Sequence, residues 1–168
     1  MNMTVKAGIL IGGLCSAWML VMGLFRFYTH PVLLNLFWMV IVIQIAVLVW
    51  GLRKTAPERS YGGQVATGML MSAIAAGILF CWSFFFTTVL FPHYFEELRA
   101  AHEAMLRAAG TPEAEAQKQI AAAAAEQTPL IQAVSGAVGT LFTGLVASLI
   151  IGVFARKKPT ASASGAAA

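Results

Sequence analysis

His93 and Glu97 stand four residues apart in "PHYFEELRAAHEAMLRAAG", with Glu96 beside them and His102 further along. On a helix the first pair shares one face, and imidazole with carboxylate could hold a divalent cation or pass a proton in lipid chemistry at a membrane surface. The stretch lacks the H-E-x-x-H spacing and has no cysteine ligand, so it reads as a solvated helix face, and no catalytic or metal site is assigned. Cys15 and Cys81 each fall inside an apolar run, where a thiol packs as a small hydrophobe instead of joining a disulfide framework. Gln44 is the remaining candidate. An amide in the middle of an apolar run needs a partner, either another helix or a substrate. Phosphate loops, dinucleotide fingerprints and catalytic triads are absent from the sequence. Arg26 sits at the end of its run, where it can snorkel, and the run interiors carry no ionisable acid or base, which argues against intramembrane hydrolysis and ion-coupled transport. No enzymatic activity and no cofactor are expected.

Whatever positions these groups is built for lipid. The chain is 59% hydrophobic and 11% charged, with a mean hydropathy of +0.77, where soluble domains are about 45–50% apolar and about 25% charged. Four runs are long enough to cross a bilayer core of about 30 Å, which takes about 20 helical residues. Lipid excludes open strands, and the runs lack the alternation of barrel strands. The expected fold class is therefore all-α, a polytopic membrane protein with four transmembrane helices at about 7–28, 31–52, 63–91 and 129–155. These form a single domain, 1–158, and the small polar stretch 159–168 should be a disordered cytoplasmic tail. The first run is expected to be retained: it is long for a signal peptide, Arg26, Phe27 and Tyr28 follow it in place of a cleavage site, and Leu14 beside Cys15 does not fit a lipoprotein.

With four spans, Lys6, Arg53, Lys54, Arg59, Arg156, Lys157 and Lys158 share one side, opposed by Glu58 alone. The other side mixes Arg26, Arg99, Arg107 and Lys118 with Glu96, Glu97, Glu103, Glu113, Glu115 and Glu126. The positive-inside rule then places both termini in the cytoplasm. The sequence pI of 9.4 is a topological signal; cations split among short membrane-flanking segments do not suggest nucleic acid, and their partner is the lipid bilayer. Tyr28 and Tyr94 fall at outer ends and Trp50 and Tyr61 at inner ones, where amphipathic rings prefer to sit. Pro31 permits a sharp turn, so spans one and two should form a tight hairpin.

One ridge of the fourth run is spent on small side chains: Gly136, Thr140, Gly144, Ser148 and Gly152. Steps of four drift by about 40° on a helix, so the set makes a usable groove. In lipid, helices associate through close backbone approach and cross-helix hydrogen bonds, which such a groove allows. Span one carries Gly8 and Gly12, and span three Gly68 and Ser72, at the same spacing. These faces either pack the four helices of one chain together or, for span four above all, make a homo-oligomer or partner-protein contact.

Residues 92–128 are too rich in helix formers for a floppy loop and are expected to form an extracytoplasmic helical hairpin between spans three and four. Pro92 suits a first turn, Gly110 an end, and Thr111-Pro112-Glu113 reads as an N-cap, a first-turn proline and an early acid.

Taken together, "KAGILIGGL", "SYGGQVATGML", "FPHYFEELRAAHEAMLRAAGTPEAEAQ" and "GTLFTGLVASLIIGVFARKK" resemble the domain of unknown function 4199 family of small bacterial four-helix membrane proteins, over about 5–158. The resemblance implies a topology and the bacterial inner membrane and carries no catalytic residues. The function expected is a non-enzymatic accessory or assembly factor acting through helix packing and its outer hairpin. The alternative is a small oligomeric channel or permease lined by Gln44 and the threonines of span three.

Overall fold

The computed structural model describes residues 2–30 and 32–154, with the side chain of Glu58 left aside. Pro31, the basic residues Arg156, Lys157 and Lys158, and the tail 159–168 lie outside the described residues. Within them the chain is helical, in the order α1 (Met3–Leu24), α2 (Met39–Thr55), α3 (Tyr61–Phe85), α4 (Tyr94–Ala108), α5 (Glu113–Glu126) and α6 (Pro129–Phe154). Four stretches, Met3–Leu24, Leu33–Thr55, Tyr61–Leu90 and Pro129–Phe154, are long and apolar enough to cross a membrane.

The ends of these helices follow from their sequences. Asn2 caps α1 by accepting from the Thr4 amide at 3.4 Å, and Ser60 caps α3 through the Gly63 amide at 3.4 Å. Thr128 Oγ1 accepts from the Ile131 amide at 3.2 Å and opens α6, with Pro129 in the first turn where its missing N–H costs nothing. At the far end of α3 the backbone widens into a π turn, Phe86–Leu90, closed by the Phe91 amide on the Phe86 carbonyl at 2.8 Å. Pro92 accounts for this: it cannot donate and drives the residue before it out of helical geometry, and Phe91 sits at φ −132°. The approach to α2 is tighter than an α-helix, a 3-10 segment over Leu33–Trp38.

Gly110 ends α4 at φ +72°, a left-handed conformation that glycine adopts without penalty. Its amide bonds the Arg107 carbonyl, and the Thr111 amide bonds the Leu106 carbonyl, the paired closure of a Schellman motif. Thr111 is thereby committed to finishing α4. The cap position of α5 falls to Pro112, without a side-chain bond, and the helix runs Glu113–Glu126; the expected threonine cap is corrected on this point.

α3 is the central helix, packed most extensively on α6 and α1, while α2 closes the bundle against α1 and α6. The core is apolar and small: Ala7, Ile11 and Cys15 of α1 meet Val47, Leu48, Met71, Ala75, Leu79 and Ala147. Side chains of α1 also fasten α2 and the 3-10 segment that leads into it. Trp18 Nε1 donates to the Leu36 carbonyl at 3.0 Å, and Cys15 Sγ donates to the Val40 carbonyl at 3.6 Å. Large apolar side chains elsewhere point outward: Phe154 is 85% exposed, Phe142 67% and Trp38 63%, a pattern suited to lipid and unsuited to water.

Candidate functional site

Two places gather polar groups from separate elements. The first is a clamp at the α4 end of the bundle. The chain leaves α1 at Leu24 and turns through Arg26, held at φ 53°, which a residue with a side chain adopts at a cost. This turn and the short 3-10 segment Phe27–Thr29 present Arg26 and Tyr28 to Glu97 of α4. Tyr28 Oη donates to Glu97 Oε2 at 2.6 Å, Arg26 Nε donates to the same oxygen at 3.2 Å, and Arg26 also pairs with Oε1. Tyr94 packs against Tyr28 with ring centroids 4.6 Å apart and planes tilted by 55°, and Phe86 closes on Tyr94 at 5.7 Å.

The electrostatics agree with the geometry. Glu97 is held below the ordinary carboxylate value by the Tyr28 hydroxyl first and by Arg26 after it, with its own partial burial opposing them. Tyr28 is pushed up by burial and by donating to a carboxylate, and Arg26 is raised by its bonds to Glu97 and Tyr28. Burial pushes the Tyr94 hydroxyl up to about 12. All four groups therefore hold their ionisation state through the neutral range.

This arrangement divides the sequence's metal candidates. His93 Nδ1 lies 2.9 Å from Glu96 Oε2 at an exposed position, whereas Glu97 turns to Arg26 and Tyr28. His102 stands apart from them, in a concavity of about 310 Å³ that it shares with His30, Tyr28 and Gln127. Among the described residues no three His, Cys, Asp or Glu side chains are grouped to hold a metal ion.

The second place lies inside the bundle. Gln44, 4% exposed, donates from Nε2 to the Thr140 carbonyl at 2.7 Å, joining α2 to α6. Thr140 Oγ1 turns back to the Gly136 carbonyl at 2.8 Å. Below them the small residues of α3 and α6 interlock reciprocally. A Cβ on Gly144 would overlap Ser72, and one on Gly68 would overlap Ser148, so each serine fills the notch left by the opposite glycine. Among the described residues neither serine hydroxyl finds a hydrogen-bond partner. Gly8 is pressed on Ile74 and the Met71 carbonyl, and Gly12 on Ile78, so α1 uses its glycines against α3. Gly152 faces the Tyr61 ring, 3.2 Å from where a Cβ would stand. Gly136 differs from the rest of its ridge, because nothing lies within 4 Å of its Cβ position.

The pairing of Arg26 and Tyr28 with Glu97 is a feature of the fold that was not expected from the sequence. A signal was present: a lone cation and a tyrosine directly after span one, on the same side as an acid pair that opens a helix.

Among the described residues the helices, four of them long and apolar enough to cross a membrane and joined by small-residue notches, make the architecture of a helical membrane protein. The chain belongs to the family described as protein of unknown function (DUF4199), whose model matches residues 6–157. No curated protein and no solved structure matches it significantly.

Proposed function

We propose that this protein is a non-enzymatic accessory or assembly factor of the bacterial inner membrane that acts through helix packing and through α4 and α5 as an outer hairpin. One observation carries the reading. α4 and α5 are held to the bundle near Phe95 and the Glu97 clamp, with Phe95 and Ala116 their buried residues, while most of α5 and one face of α4, including Glu96, Ala100, Met105 and Ala108, are exposed. A fixed and exposed pair of helices is suited to contact another protein, since its orientation is set before binding. Charge supports the outward placement. Lys6, Arg53, Lys54 and Arg59 flank the helix ends opposite the clamp, whereas α4 and α5 begin with Glu96, Glu97, Glu113 and Glu115, so the positive-inside rule puts the termini in the cytoplasm.

The test replaces residues 95–127 with a short flexible linker and compares the proteins recovered with each form after mild solubilisation. The reading expects a reproducible partner with the intact chain and its loss with the replacement, while the bundle stays in the membrane fraction. An unchanged set of recovered proteins would overturn the role given to the hairpin.

A further inference from the structure

Three concavities lie side by side in the half of the bundle nearest α4, and Phe37 and Gln132 line all three. The widest, about 590 Å³, is a groove between α2 and α6. Trp38 and Phe142, both strongly exposed on the faces that lipid would cover, line it, so it opens sideways. The two smaller spaces continue inward to Cys15 and Met19 of α1 and beneath Tyr28 and Tyr94. Gly136 and Gly139 thin the α6 wall, and a Cβ on either would meet nothing within 4 Å.

Size and chemistry select the occupant. An α-helix about 10 Å across fills about 420 Å³ per turn, so the groove would seat little more than one turn of a partner helix. Its volume suits a small molecule, for which pockets of about 300–1,000 Å³ are usual. Among the described residues no Asp, Glu, Lys, Arg or His lines any of the three spaces. A charged headgroup brought in would lose its hydration without a counter-charge. The polar side chains that line them are neutral, Gln44, Gln132, Ser135 and Thr143 among them. Gln44 gives one N–H to the Thr140 carbonyl, and an amide has a second N–H and a carbonyl oxygen to spare.

We propose that this groove binds a neutral long-chain amphiphile bearing hydroxyl or carbonyl oxygens, drawn sideways from the bilayer, with its polar group at Gln44 and its chain against Phe37 and α6.

Diacylglycerol carrying a diazirine in one acyl chain is the first probe, and phosphatidylglycerol with the same diazirine the second. Each is added to the full chain in phosphatidylcholine nanodiscs, photolysed, and the labelled peptides are mapped. Diacylglycerol should label 37–44 and 132–143 about tenfold more than phosphatidylglycerol does, a ratio equivalent to about 1.4 kcal/mol. Gly139→Phe fills the groove from a position with open space around it and should remove this labelling. Gly77→Phe, in the open notch between α1 and α3, should leave it intact and so controls for general disturbance of the bundle. Gln44→Leu should lower diacylglycerol labelling to that of a diazirine hydrocarbon. Equal labelling by the two lipids, or labelling that survives Gly139→Phe, would overturn the proposal.

Discussion

The carboxylate of Glu97 accepts from Tyr28 and Arg26 across 69 and 71 positions of sequence. Its depressed pKa fixes the pH dependence of the clamp. The folded value lies below the ordinary 4.5, so the stabilisation is complete above about pH 4.5 and is lost as pH falls through the folded value. Amide exchange in α4, corrected for intrinsic rates, should stay flat from about pH 8 to about pH 5 and rise below it. A rise beginning near neutrality would assign the hold on α4 to other groups. Tyr28→Phe removes a hydrogen bond to a charged acceptor, about 1.5 kcal/mol, and should raise exchange in α4 by a little over tenfold at neutral pH. The partners of this clamp were individually conspicuous in the sequence, but their pairing depends on how the turn after α1 meets α4. Arg26 at φ 53° is part of that turn, and no local pattern announces a left-handed arginine.

At the level of elements, the small ridge of α6 performs two jobs along its length. Gly144 and Ser148 lock into Ser72 and Gly68, whereas Gly136 faces the groove. Gly144→Ala therefore forces its methyl into Ser72 and should cost about 1–3 kcal/mol, the usual price of overpacking. Gly136→Ala should be close to neutral. Reversible unfolding of the two variants in detergent micelles separates them, and equal effects would contradict the division. The ridge itself was plain in the sequence, and so was the end of α4 at Gly110. Which members of the ridge touch α3 was not, because a drift of about 40° per step turns Gly136 about 80° away from Gly144, and no single-helix pattern says where the neighbouring axis lies. The π turn before Pro92 and the 3-10 approach to α2 were also hidden. Proline marks an end to helical geometry without specifying how the preceding carbonyls are satisfied.

For the whole molecule, the four long helices were readable because length and apolarity alone define a span, and helices of that length and apolarity stand at Met3–Leu24, Leu33–Thr55, Tyr61–Leu90 and Pro129–Phe154. The groove between α2 and α6 was not readable, since it arises from two helices that meet at Gln44 and Thr140 and part towards α4. Packing gives the chain a closed half, with the interlocked serines and glycines, and a looser half below the clamp. The docking role we propose falls at the looser end, where Leu98 and Met105 lie on α4 and Met105 is 39% exposed. The most direct measurement is photo-crosslinking in living cells from residues placed at Leu98 and Met105, repeated in a Glu97→Gln background. A docking role predicts one recurrent protein adduct from both positions, weakened when the clamp is released. Adducts to lipid or to copies of this chain alone, unchanged by Glu97→Gln, would contradict it.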